Sequence, residues 1–242
     1  MEELFIIENL SKSFGNKKVL HNISLRIFKG EIFTILGPSG VGKTTLLRIL
    51  NLLEMPTTGK LIFNGKDTAI LQKNNVMGRM SMLFQIPAVF NTSVFKNVAY
   101  GLQIRKMDKK TINIKVIDAL ALVGLAGFEN QKALTLSGGE AQRMAFARAI
   151  VFKPDVILLD EPTANLDPAN VAKIEEIIQK IRSELGTTII MASHNIHQVR
   201  RLADRVGILL NGELIEVNTK DQIFTHPNDP RSIAFIKGDI IY

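Results

Sequence analysis

Residues 37–44 read Gly37-Pro38-Ser39-Gly40-Val41-Gly42-Lys43-Thr44, a glycine-rich turn that matches the pattern G-x-x-x-x-G-K-[ST] in full. A short apolar run at residues 31–36 precedes the turn, and residues 43–53 are rich in helix-forming types. The glycines let the backbone curl so that its N–H groups point inward at phosphate oxygens. We therefore expect a strand, a phosphate-binding loop and a helix whose positive dipole end faces the phosphates.

Two side chains of this turn have expected roles. Lys43 should reach the β- and γ-phosphates of a nucleotide, and the Thr44 hydroxyl should bind Mg²⁺. The alternative is a chance glycine-rich turn, but the strand before it and the helix after it supply the context that the motif requires. The predicted ATP-binding residues are Gly37, Pro38, Ser39, Gly40, Val41, Gly42, Lys43, Thr44 and Thr45.

The order of the remaining segments predicts an α/β fold. Short β segments dominate to about residue 63, a helical pattern covers residues 93–152, and strands then alternate with helices. Asn211-Gly212 predicts a hairpin turn. We expect a phosphate-loop NTPase core with a largely parallel sheet, an N-terminal antiparallel β subdomain and an inserted α-helical subdomain at about residues 88–152, all within one domain spanning residues 1–242. Predicted strands include residues 80–85, 156–159 and 187–191, and predicted helices include residues 140–152 and 171–185.

Two acidic residues, Asp160 and Glu161, end an apolar run at residues 156–159. Carboxylates at the carboxyl end of such a strand lie beside the phosphate loop of the same sheet. Asp160 should help to hold Mg²⁺, and Glu161 should orient or deprotonate the attacking water. The alternative is that the pair only ends a strand, which is the weaker interpretation after an intact phosphate loop.

Two further polar residues follow apolar runs. His194 could hydrogen-bond the γ-phosphate or the attacking water, and the amide of Gln85 could contact Mg²⁺ or the water. Either residue taken alone would indicate nothing. His194 and His197 could also be interpreted as metal ligands, but two histidines without a third ligand make a poor zinc site.

Composition narrows the class of protein. The chain has 242 residues, no cysteine and a formal net charge of +7. Disulfides and thiolate metal sites are thereby excluded. Its basic residues are scattered and no RNA-binding aromatic motif accompanies them, so we expect no nucleic-acid partner. No apolar run approaches the roughly 18 residues that a bilayer requires. Residues 1–4, Met1-Glu2-Glu3-Leu4, lack the features of a signal peptide, which favours a cytoplasmic location.

A second glycine motif, Leu136-Ser137-Gly138-Gly139-Glu140-Ala141-Gln142-Arg143, resembles the signature motif of ABC-type ATPases. A serine and two glycines at a helix start offer a hydroxyl and backbone N–H groups to an anion. The alternative is an ordinary helix cap after a flexible turn. The resemblance covers essentially the whole chain, with the motifs in the family's order.

The resemblance implies roles for the matching positions. Phe14 lies where the family stacks an aromatic ring on adenine, Gln85 matches the glutamine of the loop between lobes, and His194 matches the switch histidine. Ser137, Gly138, Gly139 and Glu140 match the signature that contacts the partner's ATP, and Asn165, Leu166 and Asp167 match the loop at the dimer interface. Phe14 replaces a commoner tyrosine, Ala164 stands where serine is frequent, and Glu140 stands where glutamine is also common.

The family's head-to-tail pairing implies that two copies of the chain close two MgATP sites, most simply as a homodimer. It also implies membrane permease subunits, a solute-binding protein that acts through them, and a place on the cytoplasmic face of the membrane. The sequence around residues 85–102 resembles importers of oxyanions such as tungstate, molybdate and phosphate. Polar amino-acid importers and soluble iron–sulfur assembly ATPases stay open as alternatives, whereas a phosphate-loop kinase is disfavoured by the signature.

Overall fold

The computed structural model describes residues 2–70, 76 and 78–239 of the chain. The predicted domain spans residues 1–242, and its first and last residues lie outside the described residues. Met1 is also the first residue of the segment 1–4 that was expected not to be a signal peptide. The strands are β1 (Glu3–Phe14), β2 (Lys17–Phe28), β3 (Ile32–Leu36), β4 (Thr58–Phe63), β5 (Lys66–Asp67), β6 (Met80–Leu83), β7 (Val156–Asp160), β8 (Thr188–Ser193), β9 (Arg205–Leu210) and β10 (Glu213–Thr219).

The helices among the described residues fall into three groups. One helix, α1 (Lys43–Leu50), follows β3. Three lie between β6 and β7, together with a 3₁₀ turn (Ala133–Thr135): α2 (Val94–Ile104), α3 (Lys109–Leu122) and α4 (Gly138–Ile150). The others follow β7: α5 (Pro168–Leu185), α6 (Ile196–Leu202), α7 (Lys220–Thr225) and α8 (Pro230–Lys237).

The strands of the described residues form two β-sheets. A six-stranded sheet has the order β10-β9-β3-β8-β7-β6, in which the pairs from β9 to β6 are parallel and β10 is antiparallel to β9. A four-stranded sheet has the order β2-β1-β4-β5 and its assigned pairs are antiparallel. The predicted fold class, an α/β core with an N-terminal antiparallel part, is confirmed. Because β6 pairs with β7, the helices between them interrupt a single sheet.

Both faces of the parallel sheet are buried, as alternating residues of β7 demonstrate. Val156 and Leu158 pack into the core shared with α1 and the antiparallel sheet, whereas Ile157 and Leu159 pack into the core shared with the helices between β6 and β7. A strand covered on both faces carries a continuous apolar run, as this one does. With its side chains held on both sides, β7 fixes the position of whatever follows it.

Several element limits differ from the sequence predictions. The strand predicted at residues 80–85 ends at Leu83, so Gln85 lies in the following bend. The helix predicted at 171–185 begins at Pro168, because Asp167 caps it and proline is favoured in the first turn. The helix predicted at 140–152 occupies Gly138–Ile150, and the strand predicted at 187–191 occupies Thr188–Ser193.

The part of the chain that the structure describes has no helix with both the length and the apolar character needed to cross a membrane.

Candidate functional site: a nucleotide pocket at the strand ends

Four neighbouring strands end at one edge of the parallel sheet. Leu83 of β6 pairs with Leu159 of β7, Asp160 pairs with Ala192 of β8, and Ser193 pairs with Leu36 of β3. The loops that follow these strands therefore meet at that edge, where ligands bind in open parallel sheets. They carry the phosphate loop, Glu161, His194 and Gln85.

The glycine-rich turn requires glycine at two positions for steric reasons. A Cβ atom on Gly37 would lie 2.2 Å from the carbonyl oxygen of Leu209. Gly42 has φ +108, and a Cβ there would lie 2.8 Å from a Leu20 methyl group. No larger residue could make these approaches. Gly42 is the N-cap of α1 and provides no side-chain cap, so the helix N-terminus faces the turn with free N–H groups.

Lys43 is buried within the turn. Its Nζ donates to the carbonyl oxygens of Gly37 and Pro38 at 2.8 and 2.7 Å, and it lies 3.3 Å from Oε1 of Glu161. The ammonium group is thus held at the helix start beside a carboxylate from the end of β7. A point charge in this position suits the terminal phosphates of a nucleotide.

Thr44 and Asp160 are in direct contact. The Thr44 hydroxyl donates to Oδ1 of Asp160 at 2.9 Å. Burial raises the pKa of Asp160 above its ordinary value, and the hydrogen bond from Thr44 opposes that rise. A hydroxyl oxygen and a carboxylate side by side are the hard ligands that Mg²⁺ accepts when phosphate oxygens and waters complete its shell. The residues present therefore fit the metal that the sequence implied.

Glu161 connects three elements. Its Oε1 lies near Lys43, its Oε2 lies 2.9 Å from Nδ1 of His194, and its backbone N–H donates to the Ala192 carbonyl at 3.1 Å. The residue has φ +47, a left-handed conformation that is uncommon outside glycine. Such conformations persist where the surroundings hold them, and they cluster at functional sites.

One pocket of about 240 Å³ contains most of these groups. Its lining comprises Val19, Ser39, Gly40, Gly42, Lys43, Thr44, Thr45, Gln85 and Glu161. The structure thus brings Gln85 to the phosphate loop and to Glu161, although Gln85 lies beyond the end of its strand. Among the described residues no group of three or more His, Cys, Asp or Glu is arranged to hold a metal. His194 and His197 therefore have no third ligand there.

The residues that line this pocket do not include Phe14 or residues 137–140. Phe14 is the last residue of β1; its ring is 47% exposed, and Lys12 Nζ lies 4.6 Å from the ring centroid. Ser137 caps α4, and a capping box links it reciprocally to Glu140. Hydrogen bonds from Ser137 lower the pKa of Glu140. In a single chain the second glycine motif is therefore not part of the phosphate-loop pocket.

The two glycines of that motif have different environments. A Cβ on Gly139 would lie 2.3 Å from Oδ1 of Asn170, so packing within the chain requires glycine there. A Cβ on Gly138 would meet no described atom within 4 Å, and Gly138 is exposed. Steric demands within the chain do not explain the glycine at position 138.

The loop after β7 is held by side chains that sequence reasoning did not identify. Gln142 of α4 is buried and donates to the Pro162 carbonyl at 2.8 Å. Gln198 of α6 is also buried, and it donates to the Thr163 hydroxyl at 2.8 Å and accepts from Ser193. No local pattern predicts either contact, because the partner of each glutamine in this loop lies 20 or more residues away in the chain.

The predicted interface loop, residues 165–167, begins with a strained residue and ends in a helix cap. Asn165 has φ +63, and Leu166 packs partly against the core. Asp167 accepts from the N–H and from Nδ2 of Asn170 at 3.0 and 2.6 Å, and these contacts lower its pKa. Asn170 in turn accepts from Arg143 of α4 at 3.3 Å. The loop is therefore tied to the helix that carries Ser137.

Comparison with known proteins agrees with this geometry. The family described as ABC transporter matches residues 20–164. A phosphate import ATP-binding protein of Natronomonas pharaonis is 41% identical over 98% of this chain and 87% of its own length. A probable anion import ATP-binding protein of Haloferax volcanii is 39% identical over 97% of this chain and 86% of its own. A methionine import ATP-binding protein of Escherichia coli is 37% identical over 97% of this chain and 71% of its own.

Solved structures show the same similarity in three dimensions. The protein cbiO1 of Clostridium perfringens, part of an ABC transporter complex, has a TM-score of 0.88 at 30% identity, covering 97% of this chain and 95% of that one. A dimeric ATP-binding cassette in a post-hydrolysis state, bound to ADP and Pi, has a TM-score of 0.81 at 29% identity, covering 90% of this chain and 99% of that one.

Proposed function

The chain belongs to the ABC transporter family as an ATP-binding subunit that hydrolyses ATP to drive transport, and on that premise we propose that it powers import of an oxyanion as a head-to-tail dimer. The observation that carries the ATP-hydrolysis step of this proposal is the set of contacts joining Lys43, Glu161 and His194 beside the Thr44–Asp160 pair. These groups come from three strand ends and meet around one pocket, as phosphoryl transfer to water requires.

Each group then has a role in hydrolysis. The turn's N–H groups and Lys43 bind the β- and γ-phosphates, and an ATP γ-phosphate would draw the Lys43 ammonium from its carbonyl partners. Glu161 accepts a proton from the attacking water, and His194 orients Glu161 through Nδ1. Thr44, Asp160 and Gln85 would hold Mg²⁺, and the ion when bound would neutralise charge on the phosphate oxygens. Phe14 stacks on the adenine.

A second copy of the chain completes each site. Ser137, Gly138 and Glu140 begin α4 outside the phosphate-loop pocket, and Gly138 leaves open space at a helix N-terminus. A helix start of this kind binds anions. A similar solved structure is a dimer bound to ADP and Pi, which supports the same arrangement here. Residues 165–167 lie at the interface, and the two copies are identical.

Membrane permease subunits bind on the side of residues 84–90. Val94, Val98 and Leu102 of α2 do not form a docking surface, because all three are 0% exposed. Exposed apolar residues are instead Phe84, Ile86 and Phe90. Gln85 lines the nucleotide pocket, and its neighbours in the chain are Phe84 and Ile86. One short segment therefore connects the nucleotide pocket with the exposed apolar surface. The helices of residues 88–152 act as an inserted subdomain, and the subunit lies on the cytoplasmic face of the membrane.

An oxyanion is the cargo that the comparisons favour. Two similar proteins are described as phosphate and anion import ATP-binding proteins, at 41% and 39% identity. An amino acid is the second candidate, supported by the methionine import protein at 37% identity. The cargo itself would be held by a solute-binding protein and the permease, so these similarities indicate the class of partner and not a contact of this chain.

The test uses the complete transporter reconstituted in liposomes with its solute-binding protein. ATP turnover should rise when the binding protein carries phosphate, molybdate or tungstate. A complex built with Lys43→Ala should be inactive with every cargo, and Lys180→Ala, which removes an exposed lysine paired with Glu176, is the matched control. Stimulation by amino acids with none by the three oxyanions would overturn the assignment of cargo.

A further inference from the structure

A groove next to the nucleotide pocket is lined by apolar side chains around one cation. We define this docking groove by Phe84, Ile86, Phe90, Tyr100 and Arg148. Its volume is about 260 Å³, and its walls are completed by residues 81–83 of β6 and by Ala145 and Ala149 of α4. Arg148 is the charged residue in this lining, and no aspartate or glutamate of the described chain is among the lining residues.

The groove concentrates exposed apolar surface. Phe84, Ile86, Phe90 and Tyr100 are 43%, 79%, 38% and 49% exposed. Phe90 and Tyr100 also contact each other, with ring centroids 5.0 Å apart. Single exposed apolar residues need no explanation, but a contiguous cluster rimming a groove is typical of a protein interface.

The guanidinium group of Arg148 lacks hydrogen-bond acceptors among the described residues of this groove. Its guanidinium lies 5.0 Å from the Phe90 ring centroid, yet none of its nitrogens has a hydrogen bond or ion pair with a described residue. Its Nη1 is fully buried without an acceptor. Burial also lowers the pKa of Arg148, because desolvation penalises the charged form. An arginine offers five N–H donors, and leaving those of a buried Nη1 without an acceptor is costly.

We propose that Arg148 is a specificity-determining residue of the docking groove and that it binds a carboxylate side chain of the membrane subunit's docking segment. The inference rests on the proposed function, in which this side of the chain contacts the permease. A planar guanidinium pairs best with a carboxylate, through two parallel hydrogen bonds. The partner segment therefore carries apolar side chains for the four exposed residues and one Asp or Glu for Arg148.

Charge complementarity fixes this choice of partner. A lipid headgroup would meet a cluster of cations at an exposed rim, whereas Arg148 is the one cation among the described lining residues, most of which are aromatic or aliphatic. A wholly apolar segment would bury the guanidinium without an acceptor and would bind less tightly than one that carries a carboxylate. The carboxylate thus distinguishes the correct partner from other amphipathic segments.

The test measures assembly and stability separately. The membrane subunit that co-purifies with the tagged chain is identified, expressed alone and titrated in detergent onto fluorescently labelled chain. Arg148→Met should weaken binding by about tenfold or more. The melting temperature of the isolated Arg148→Met chain should be unchanged or higher, since the guanidinium makes no hydrogen bond within the chain. A fall in that melting temperature would indicate an internal structural role and overturn the proposal.

A double-mutant cycle identifies the carboxylate. Each Asp and Glu in the cytoplasmic loops of the membrane subunit is changed to Asn or Gln. One of these changes should weaken binding as Arg148→Met does, and combining the two should add no further loss. If Arg148→Met binds normally, or if no acidic residue couples to it, the proposal is wrong.

A groove variant separates this proposal from the proposed function. Ile86→Gln places a neutral polar group on a residue that is 79% exposed, so it should leave folding intact and weaken assembly. If Ile86→Gln weakens binding and Arg148→Met does not, the permease binds at the docking groove but Arg148 does not bind a carboxylate. If neither variant affects binding, the docking side itself is misassigned.

Discussion

Nδ1 of His194 lies 2.9 Å from Oε2 of Glu161. This contact joins the residue after β8 to the residue after β7, two strands that are neighbours in the sheet. The Glu161 side chain is 13% exposed, whereas that of His194 is 55% exposed. Glu161 is therefore the more enclosed partner, and more than half of the His194 side chain faces solvent.

Loss of His194 should slow hydrolysis without abolishing nucleotide binding. His194→Ala removes the contact that orients Glu161, so ATP turnover should fall by about tenfold to a hundredfold. Binding of a fluorescent ATP analogue should persist because the phosphate loop is unaltered. His197→Ala changes an exposed histidine three residues away and is the matched control. Equal turnover in the two variants would exclude a role for His194.

Asp160 should limit the stability of the isolated chain at neutral pH. Burial raises its pKa above the ordinary 3.8, so the folded protein binds the proton more tightly than the unfolded chain does. That contribution to stability is present below pH 3.8 and is lost as the pH rises through the folded-state pKa. At pH 7 the buried carboxylate is ionised at a cost, and Asp160→Asn should raise the melting temperature.

Calorimetry of the metal-free and nucleotide-free protein checks this expectation. For a domain of this size, each kcal/mol of unfolding free energy shifts the melting temperature by about 2–4 °C. The difference between the variant and the wild type should shrink as the pH falls. Asp155→Asn, which removes an exposed partner of Arg79, should give no such gain. A lower melting temperature for Asp160→Asn at pH 7 would contradict the account.

The adjacent glycines at the start of α4 should respond differently to a methyl group. Gly139→Ala forces a Cβ against Asn170, whose side chain is held by Asp167 and Arg143, so the isolated chain should lose about 1–3 kcal/mol of stability. Gly138→Ala meets no described atom and should fold normally, but it should weaken ATP-driven dimerisation. Thermal melts and sedimentation separate the two effects. Normal dimerisation of Gly138→Ala would indicate that nothing packs there.

Ser137 offers a test that distinguishes capping from assembly. Ser137→Ala removes the N-cap of α4 and should cost about 1 kcal/mol of stability. Ser137→Arg removes the same cap and also fills the space above the helix start. Both variants should bind ATP as monomers, but only the arginine variant should lose nearly all turnover. If Ser137→Arg hydrolyses ATP as fast as Ser137→Ala, the motif does not contact a partner's nucleotide.

The positions of site residues that belong to short continuous sequence motifs could be predicted from the sequence. The phosphate loop follows an apolar strand, and Asp160 and Glu161 end another, so the parallel register alone brings them to one edge of the sheet. The limits of the elements were less predictable, because capping residues decide them. Asp167 starts α5 three residues earlier than the apolar periodicity indicates.

Residues that act through distant partners could not be predicted. Gln142 and Gln198 support the loop after β7 from α4 and α6, and their positions in the sequence carry no sign of those contacts. Val94, Val98 and Leu102 have an apolar spacing that suits a core face and a docking face equally well. The structure places them in the core and leaves the docking groove to Phe84, Ile86, Phe90 and Tyr100.

The central claim is that two copies of the chain close around ATP, and Glu161→Gln tests it most directly. The amide keeps the size of the side chain but cannot accept the water's proton, so ATP should bind with Mg²⁺ and persist unhydrolysed. Size-exclusion chromatography with light scattering should then report twice the 26.9 kDa monomer mass with ATP, and the monomer mass without it. A Glu161→Gln chain that stays monomeric at saturating MgATP, or that hydrolyses ATP at the wild-type rate, would contradict the account.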